Sequence, residues 1–323
     1  MNFAQIKELK EKIFQGYKIT AEEAFALSKT DNIEALYYSA NQIRAKFNGK
    51  KFEMCSLIKV ESTKCTEDCL WCTHGTKSKT PIKEYDIINK DKAIEIALNY
   101  TSRGVKRISL SSTSKAFTDN KLDKVIDIYK AIQEKCNPKF CGALGHLTRE
   151  QLLKLKKETK VTRLQCNLET SPNIYPKLCT TDTFEAKIAT LKLAKELGFE
   201  LCCGLIIGMG ENMKDRIDLA IIIRDLGVKS IPIGILTPQI GIPLENQPKL
   251  ASEEILTTIA IYRFINPTAD IRLSGGRSLI KIIENEALRA GINSSMVGHM
   301  LSTEISCEIE DDKEKFEKEG FKL

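Results

Sequence analysis

The chain reads as an α/β protein, a (β/α)8 TIM barrel with a helical N-terminal extension. Two observations predict it. Eight short apolar runs rich in β-branched residues alternate with amphipathic helical stretches, and glycines stand where several of those helices should stop. The first fifty residues, by contrast, carry only helical spacing.

Apolar residues three and four apart over 4–15, 20–28 and 31–48 predict three helices, and Thr20-Ala-Glu-Glu23 has the form of a capping box. Strands are expected over 54–60, 105–111, 139–144, 161–168, 199–207, 230–236, 269–274 and 292–298. Helices are expected over 90–103, 120–136, 148–159, 183–197, 213–226, 252–265 and 278–290. Gly104, Gly198, Gly227 and Gly291 each fall between a helix and its following strand. The organisation expected is a helical segment over 1–50, a barrel over 51–310 and a charged amphipathic tail over 311–323.

Composition narrows the function. The chain has 323 residues, 42% hydrophobic and 28% charged, enough for a sizeable core. Its net charge of +6 is spread along the chain, and the clear charge block is acidic, Glu308-Ile-Glu-Asp-Asp312. With one Trp and 7% aromatics there is no stacking platform, so nucleic-acid binding is not expected. The start, Met1 to Lys10, lacks an apolar signal core, and no run is long enough to span a membrane. A cytoplasmic setting is expected, where the eleven cysteines are thiols open to metals.

The sharpest signal is Lys64-Cys-Thr-Glu-Asp-Cys-Leu-Trp-Cys-Thr73. Cys65, Cys69 and Cys72 form a C-x3-C-x2-C set, too tight for a helix face but suited to a loop around a [4Fe-4S] cluster. Three thiolates leave one iron open for chemistry. The spacing is that of radical S-adenosylmethionine (SAM) enzymes. A zinc knuckle with His74 as fourth ligand and a disulfide pair are the plainer alternatives. Further along, Cys141, Gln165, Asn167, Cys202 and Arg272 sit within predicted strands, where a barrel core would favour Val, Ile or Leu. A guanidinium in a barrel core costs several kcal/mol unless paired. Each has a dull explanation alone; together they suggest a polar chamber below the cysteine loop. Gly204-Leu-Ile-Ile-Gly-Met-Gly-Glu211 lacks dinucleotide-binding spacing.

Over nearly its whole length the chain resembles the biotin synthase family of radical SAM enzymes. The resemblance rests on Met54-Cys-Ser-Leu57, Cys65 through Cys72, Cys166-Asn-Leu-Glu-Thr-Ser171, Cys179-Thr-Thr181, Cys202 through Glu211, Ser230-Ile-Pro-Ile233, Ile271-Arg-Leu-Ser-Gly-Gly-Arg277 and Gly298-His-Met-Leu-Ser-Thr303. It implies a SAM-derived 5′-deoxyadenosyl radical that takes hydrogen from an unactivated carbon, and a sacrificial auxiliary iron–sulfur cluster that supplies sulfur. By that resemblance Cys65, Cys69 and Cys72 hold the SAM cluster and Trp71 lies against the adenine. Asn167 and Glu169 meet the ribose, and Lys187 faces the SAM carboxylate. Cys141, Cys202 and Arg272 fall on auxiliary-cluster positions. An electron donor such as flavodoxin or ferredoxin is implied, and a homodimer is an expectation of the resemblance alone.

The chain departs from the pattern at several points. One strand-two ligand Cys of the family is Ser109 here, so a [2Fe-2S] cluster on three Cys and one Arg cannot assemble identically, and a larger cluster is open. Cys166 and Cys179 are candidate replacements, although strand parity turns Cys166 outward. Cys203 should also face away, and Cys55, Cys136 and Cys307 read as ordinary thiols. The family's Pro-Ile-Asn is Pro232-Ile-Gly234, its Gly-Thr-Pro-Leu is Gly241-Ile-Pro-Leu244, and Thr73-His-Gly75 replaces Ala-Gln-Ser. Losing that Asn weakens recognition of a ureido ring. Gln165, in place of a family Asn, could compensate. Dethiobiotin is the first substrate expected. The alternative is a two-component lipoyl synthase acting on an octanoyl-lysine of an acylated carrier domain. A non-catalytic metal protein is the third reading, and it leaves Asn167, Glu169 and Arg272 unexplained.

Overall fold

A computed structural model describes residues 1–298 and 308–323. Its strands are β1 (Glu53–Lys59), β2 (Arg107–Ser111), β3 (Lys139–Ala143), β4 (Val161–Gln165), β5 (Glu200–Cys202), β6 (Leu205–Ile207), β7 (Ser230–Ile235), β8 (Asp270–Leu273) and β9 (Ser294–Met296). Each pairs in parallel with its neighbour, and β9 returns to β1. β5 and β6 are halves of one stave, both paired with β7, so the closed barrel has the eight staves expected.

The helices are α1 (Phe3–Phe14), α2 (Ala21–Ser28), α3 (Ile33–Asn48), α4 (Lys90–Ser102), α5 (Asp119–Lys135), α6 (Arg149–Glu158), α7 (Tyr175–Leu178), α8 (Phe184–Glu196), α9 (Met213–Leu226), α10 (Ser252–Ile265), α11 (Glu284–Arg289) and α12 (Ile309–Lys318). The Thr20–Glu23 capping box starts α2 as read from sequence. The helix expected over 278–290 is instead a 3-10 stretch, Arg277–Ile283, followed by α11. The N-terminal helices thicken the outer layer, with α1 on α3, α3 on α10 and α2 on α9. The charged tail is tied in. α12 inserts Phe316 against Phe52 at 3.9 Å, and Asp312 accepts hydrogen bonds from Arg277 at 2.6 and 2.8 Å. Residues 299–303 of the last matching stretch, and Cys307, lie outside the described residues.

The fifth stave breaks for a steric reason. A Cβ on Gly204 would stand 1.9 Å from the Pro232 carbonyl oxygen, so only glycine fits. At the break the Gly204 N–H donates to Asn167 Oδ1 at 3.2 Å, and the Gly204 carbonyl accepts from the Glu169 N–H at 3.1 Å. The segment after β4 thus takes over the ladder, and the fourth strand ends three residues earlier than expected.

Inside the barrel the lower layer is ionic. Glu53 on β1 accepts from Arg107 at 3.0 Å and from Arg163 at 2.8 Å, and Arg163 lies 3.8 Å from Asp270. Burial pushes the Glu53 carboxyl up, but the two guanidiniums outweigh it and hold it at about 2. Strand alternation carries this inward face upward from Glu53 to Cys55, from Arg107 to Ser109, from Arg163 to Gln165 and from Asp270 to Arg272. Ile231, Ile233 and Ile235 of β7 have the opposite parity and join the apolar core.

Candidate functional site

The cysteine loop follows β1, at the C-terminal end of the barrel where such folds gather their chemistry. Its turns are set by backbone bonds: Cys65 N–H to the His74 carbonyl at 2.8 Å, Cys72 N–H to Cys69 at 3.1 Å and Thr76 N–H to Glu67 at 2.8 Å. Asp68 clamps the loop to the segment after α7. Its carboxylate accepts from the Thr180 N–H at 2.8 Å and hydroxyl at 2.6 Å, and from the Thr181 N–H at 3.2 Å. These bonds hold the Asp68 carboxyl well below the usual carboxylate range. His74 is engaged elsewhere than at the thiols. It donates through Nδ1 to the Thr63 carbonyl at 3.0 Å, and its Nε2 stands 3.5 Å from Lys59 Nζ. That argues against the zinc knuckle.

Cys65, Cys69, Cys72 and Trp71 open onto a cavity of about 260 Å³, whose far wall includes Asn167, Glu169 and Lys187. Glu169 is, among the described residues, the one non-glycine residue in the left-handed region, at φ 68°. A side chain held there costs on the order of 1–3 kcal/mol, a strain typical of working sites. Its Oε2 is buried with no hydrogen-bond partner, and burial pushes the carboxyl up against the opposing influence of Lys187 and Asn167. Lys187 lies 3.6 Å from Asp182 and 5.8 Å above the Tyr175 ring. Trp71 meets Tyr175 edge to face at 6.1 Å.

Sequence reasoning missed the support behind this wall. Asp182 gathers His146 at 3.2 Å, Lys115 at 3.8 Å and the Tyr175 hydroxyl at 3.4 Å, besides Lys187. These residues come from two loops and the helices α7 and α8, with no shared motif that a reading of the sequence could pick out.

Beneath the cavity the barrel interior holds Cys141 on β3, Cys202 on β5 and Arg272 on β8, each 0% or 1% exposed. Arg272 Nη2 donates to Cys202 Sγ at 3.1 Å, while Nε and Nη1 have no partner. Ser109, beside Cys141 in the β2–β3 register, has an unpartnered buried hydroxyl. The other two candidates, Cys166 and Cys179, lie elsewhere. Cys179 touches Cys69, Sγ to Sγ at 3.2 Å, because the Asp68 clamp brings its loop to the upper site. Cys166 follows the end of β4, where it lines the mouth cavity and also a small void against Thr190, Leu191 and Ala194 of α8. Cys203 joins the outer apolar core as expected. Cys55, read as an ordinary thiol, is 1% exposed on the inward face of β1.

The residues fit the groups that the sequence implies. The upper set offers three thiols and a carboxylate with one unsatisfied oxygen around one cavity; the lower offers thiols and unpartnered guanidinium nitrogens. Among the described residues no three His, Cys, Asp or Glu converge on a single-ion site. A cluster several atoms wide holds its ligands further apart than one ion does.

Comparison with known proteins agrees. The Radical SAM superfamily matches residues 62–223, and the Biotin and Thiamin Synthesis associated domain matches 232–322. A biotin synthase of Parabacteroides distasonis is 41% identical over 319 residues, covering 98% of this chain and 97% of its own. One from Clostridium botulinum (strain Alaska E43 / Type E3) is 43% identical, covering 92% and 93%. In fold the chain is similar to methylornithine synthase (PylB), TM-score 0.83 at 19% identity, covering 97% and 96%. It is also similar to the FeFe-hydrogenase maturase HydG from Carboxydothermus hydrogenoformans, TM-score 0.82 at 17% identity, covering 98% and 79%. The lipoyl synthase alternative is not favoured by these relatives. No helix among the described residues is long and apolar enough to cross a membrane. With its cysteine loop, barrel and near full-length relatives together, this chain belongs to the biotin synthase family of radical SAM enzymes.

Proposed function

We propose that the chain inserts sulfur at unactivated carbons of dethiobiotin, using the upper site to bind a [4Fe-4S] cluster with SAM and the lower chamber to hold an auxiliary iron–sulfur cluster. The observation that carries this is the stacking of two separate thiol sets along one barrel. Cys65, Cys69 and Cys72 line the cavity at the mouth, with Cys141, Cys202 and Arg272 buried beneath. When bound, the upper cluster with SAM supplies hydrogen abstraction and the auxiliary cluster supplies sulfur.

The chain's own residues bind, orient and exclude water. Cys65, Cys69 and Cys72 hold the upper cluster, and the Asp68 clamp fixes their loop before it binds, which lowers the cost of ordering it. Glu169 and Asn167 take the ribose hydroxyls; the orphaned Glu169 Oε2 is an acceptor awaiting a donor. Lys187, steadied by Asp182, faces the SAM carboxylate, and Trp71 lies against the adenine. Arg272 holds a fixed positive charge beside the Cys202 sulfur in a site closed to solvent. Pro232 and Gly234 of β7 share the inward face above it. A Cβ at Gly234 would meet the Leu205 carbonyl at 3.3 Å, so this wall is backbone where the family pattern has Asn. Reduction of the upper cluster needs an electron donor, for which a flavodoxin or ferredoxin is suited.

The test is anaerobic reconstitution with iron, sulfide, SAM and dithionite, followed by assay of 5′-deoxyadenosine and biotin. Biotin from dethiobiotin is the expected result. Deoxyadenosine without biotin, but with a thiolated octanoyl-carrier peptide when that is supplied, would overturn the substrate assignment.

A further inference from the structure

The cysteine loop is joined to the protein surface by the segment that follows it. The Gly75 N–H donates to the Cys72 carbonyl at 3.3 Å and the Thr76 N–H to the Glu67 carbonyl at 2.8 Å, so this segment lies directly on the loop. It is also seamed to the loop after β7. The Lys79 N–H donates to the Gly241 carbonyl at 2.8 Å and the Thr80 hydroxyl to the Ile240 carbonyl at 2.9 Å. A Cβ on Gly241, at φ 95°, would stand 2.8 Å from the Thr80 nitrogen, so the close seam requires glycine. The seam presents Ile240 to solvent, 90% exposed. Lys64, Lys77, Lys79 and Lys83 are exposed on the same segment, and Lys64 Nζ reaches the Thr80 carbonyl at 3.5 Å. Among the described residues none of these four ammonium groups has an ion pair. The acids of the loop are engaged elsewhere: Glu67 pairs with Lys115 at 3.1 Å, and Asp68 takes Thr180 and Thr181. Exposed Glu84 and Glu245 each accept a backbone N–H, that of Lys64 at 3.4 Å and that of Gly241 at 2.7 Å. An apolar tip with a surplus of positive charge thus stands next to the thiols of the mouth.

We infer that this face is the docking surface of the electron donor, a small acidic one-electron carrier protein that seats on Ile240 and is steered by Lys64, Lys77, Lys79 and Lys83. This rests on the electron-donor requirement of the proposed function and adds the place where it is met. One electron leaves the carrier, which is oxidised by one, and enters the upper site through the segment bonded to Cys72; no bond forms or breaks. Redox encounters of this kind bury little area and take their orientation from complementary charge, with an apolar centre inside a polar rim. A second basic face exists at the other end of the barrel. There Lys50, Lys51, Lys106, Lys139 and Lys322 line a cavity of about 550 Å³. Lys106 precedes β2 and Lys139 begins β3, so the length of the barrel separates that face from the cysteine loop after β1. Electron transfer weakens steeply with distance, and this places the donor at the mouth.

The experiment sets a protein donor against a small one. The reconstituted chain is supplied with SAM and either photoreduced flavodoxin or dithionite, as wild type, as Lys77→Glu/Lys79→Glu and as Lys106→Glu/Lys139→Glu. Flavodoxin affinity is measured separately by calorimetry. The mouth variant should bind flavodoxin at least about tenfold more weakly, with its KM for flavodoxin raised to match. It should keep the wild-type rate of 5′-deoxyadenosine formation with dithionite, and its flavodoxin complex should lose the salt sensitivity of the wild-type one. Ile240→Ser should weaken flavodoxin binding by about threefold or more and leave the salt sensitivity in place. The variant at the base should match the wild type throughout. Unchanged flavodoxin affinity in the mouth variant would overturn this inference and leave the proposed function standing. Weakening confined to the base variant would overturn it by moving the donor to the other end. Equal loss with both donors would overturn it as well, since the lysines would then support the cysteine loop. So would a dimer that Ile240→Ser splits in sedimentation, because a second copy would then cover the tip. No 5′-deoxyadenosine from the wild type with dithionite would overturn the proposed function itself.

Discussion

The two thiol sets of this barrel are built in opposite ways. At the mouth, three cysteines lie within eight residues of sequence, and the Asp68 clamp and local backbone bonds shape their loop. In the interior, Cys141, Cys202 and Arg272 come from three strands and meet only when the barrel closes. The mouth depends on a loop and the interior depends on the fold. Local spacing therefore specifies the first site, while the second has no signature apart from polar residues at inward positions.

That contrast predicts different failures. Cys69→Ala should produce the largest effect, a loss of 5′-deoxyadenosine formation of at least about 100-fold, because two thiolates cannot hold the cluster firmly. The fold should be untouched, as circular dichroism of the variant would show; unfolding would mean that the loop is structural. Glu53→Gln reverses the pattern. It leaves Arg107 and Arg163 buried without their carboxylate, at a cost of about 3–5 kcal/mol in denaturant unfolding of the metal-free chain. The pH dependence follows from the depressed carboxyl. Since its folded value of about 2 lies below the ordinary value of 4.5, its stabilisation is fully present above pH 4.5 and fades as the pH falls toward 2. The Gln variant should lack that slope.

How much of this was legible in sequence follows the same division. All eight staves and the long helices were visible as alternating periods, because a parallel barrel writes β-branched runs and amphipathic helices in regular turn. The break at Gly204 was not, since it arises from a carbonyl on β7 that local pattern cannot report. The four-residue α7 is too short to carry a period, yet it delivers Cys179 to Cys69. Cys55 reads as an ordinary core thiol by composition, and only the direction of Glu53 shows that its strand turns it inward.

Two smaller effects sharpen the comparison. Arg272→Lys should spare SAM cleavage but lower biotin formation by roughly 10–100-fold, because a flexible ammonium cannot reproduce a fixed guanidinium beside Cys202. Equal loss of both activities would make Arg272 structural.

Cys179→Ala should do least, despite removing a sulfur 3.2 Å from Cys69. If Cys179 is joined to that sulfur only by a hydrogen bond, its loss removes about 1 kcal/mol, so deoxyadenosine formation should fall by no more than about fivefold. Iron content should stay at the wild-type value, because the three ligands of the mouth remain. A drop in iron to the level of Cys69→Ala would make Cys179 a fourth thiolate. The open coordination position would then be filled, and the mouth would be a closed electron-transfer centre with no place for SAM. The orphaned Glu169 Oε2 would be unexplained in that case, and it is this atom, on a strained residue of the opposite wall, that argues for a ligand in the cavity.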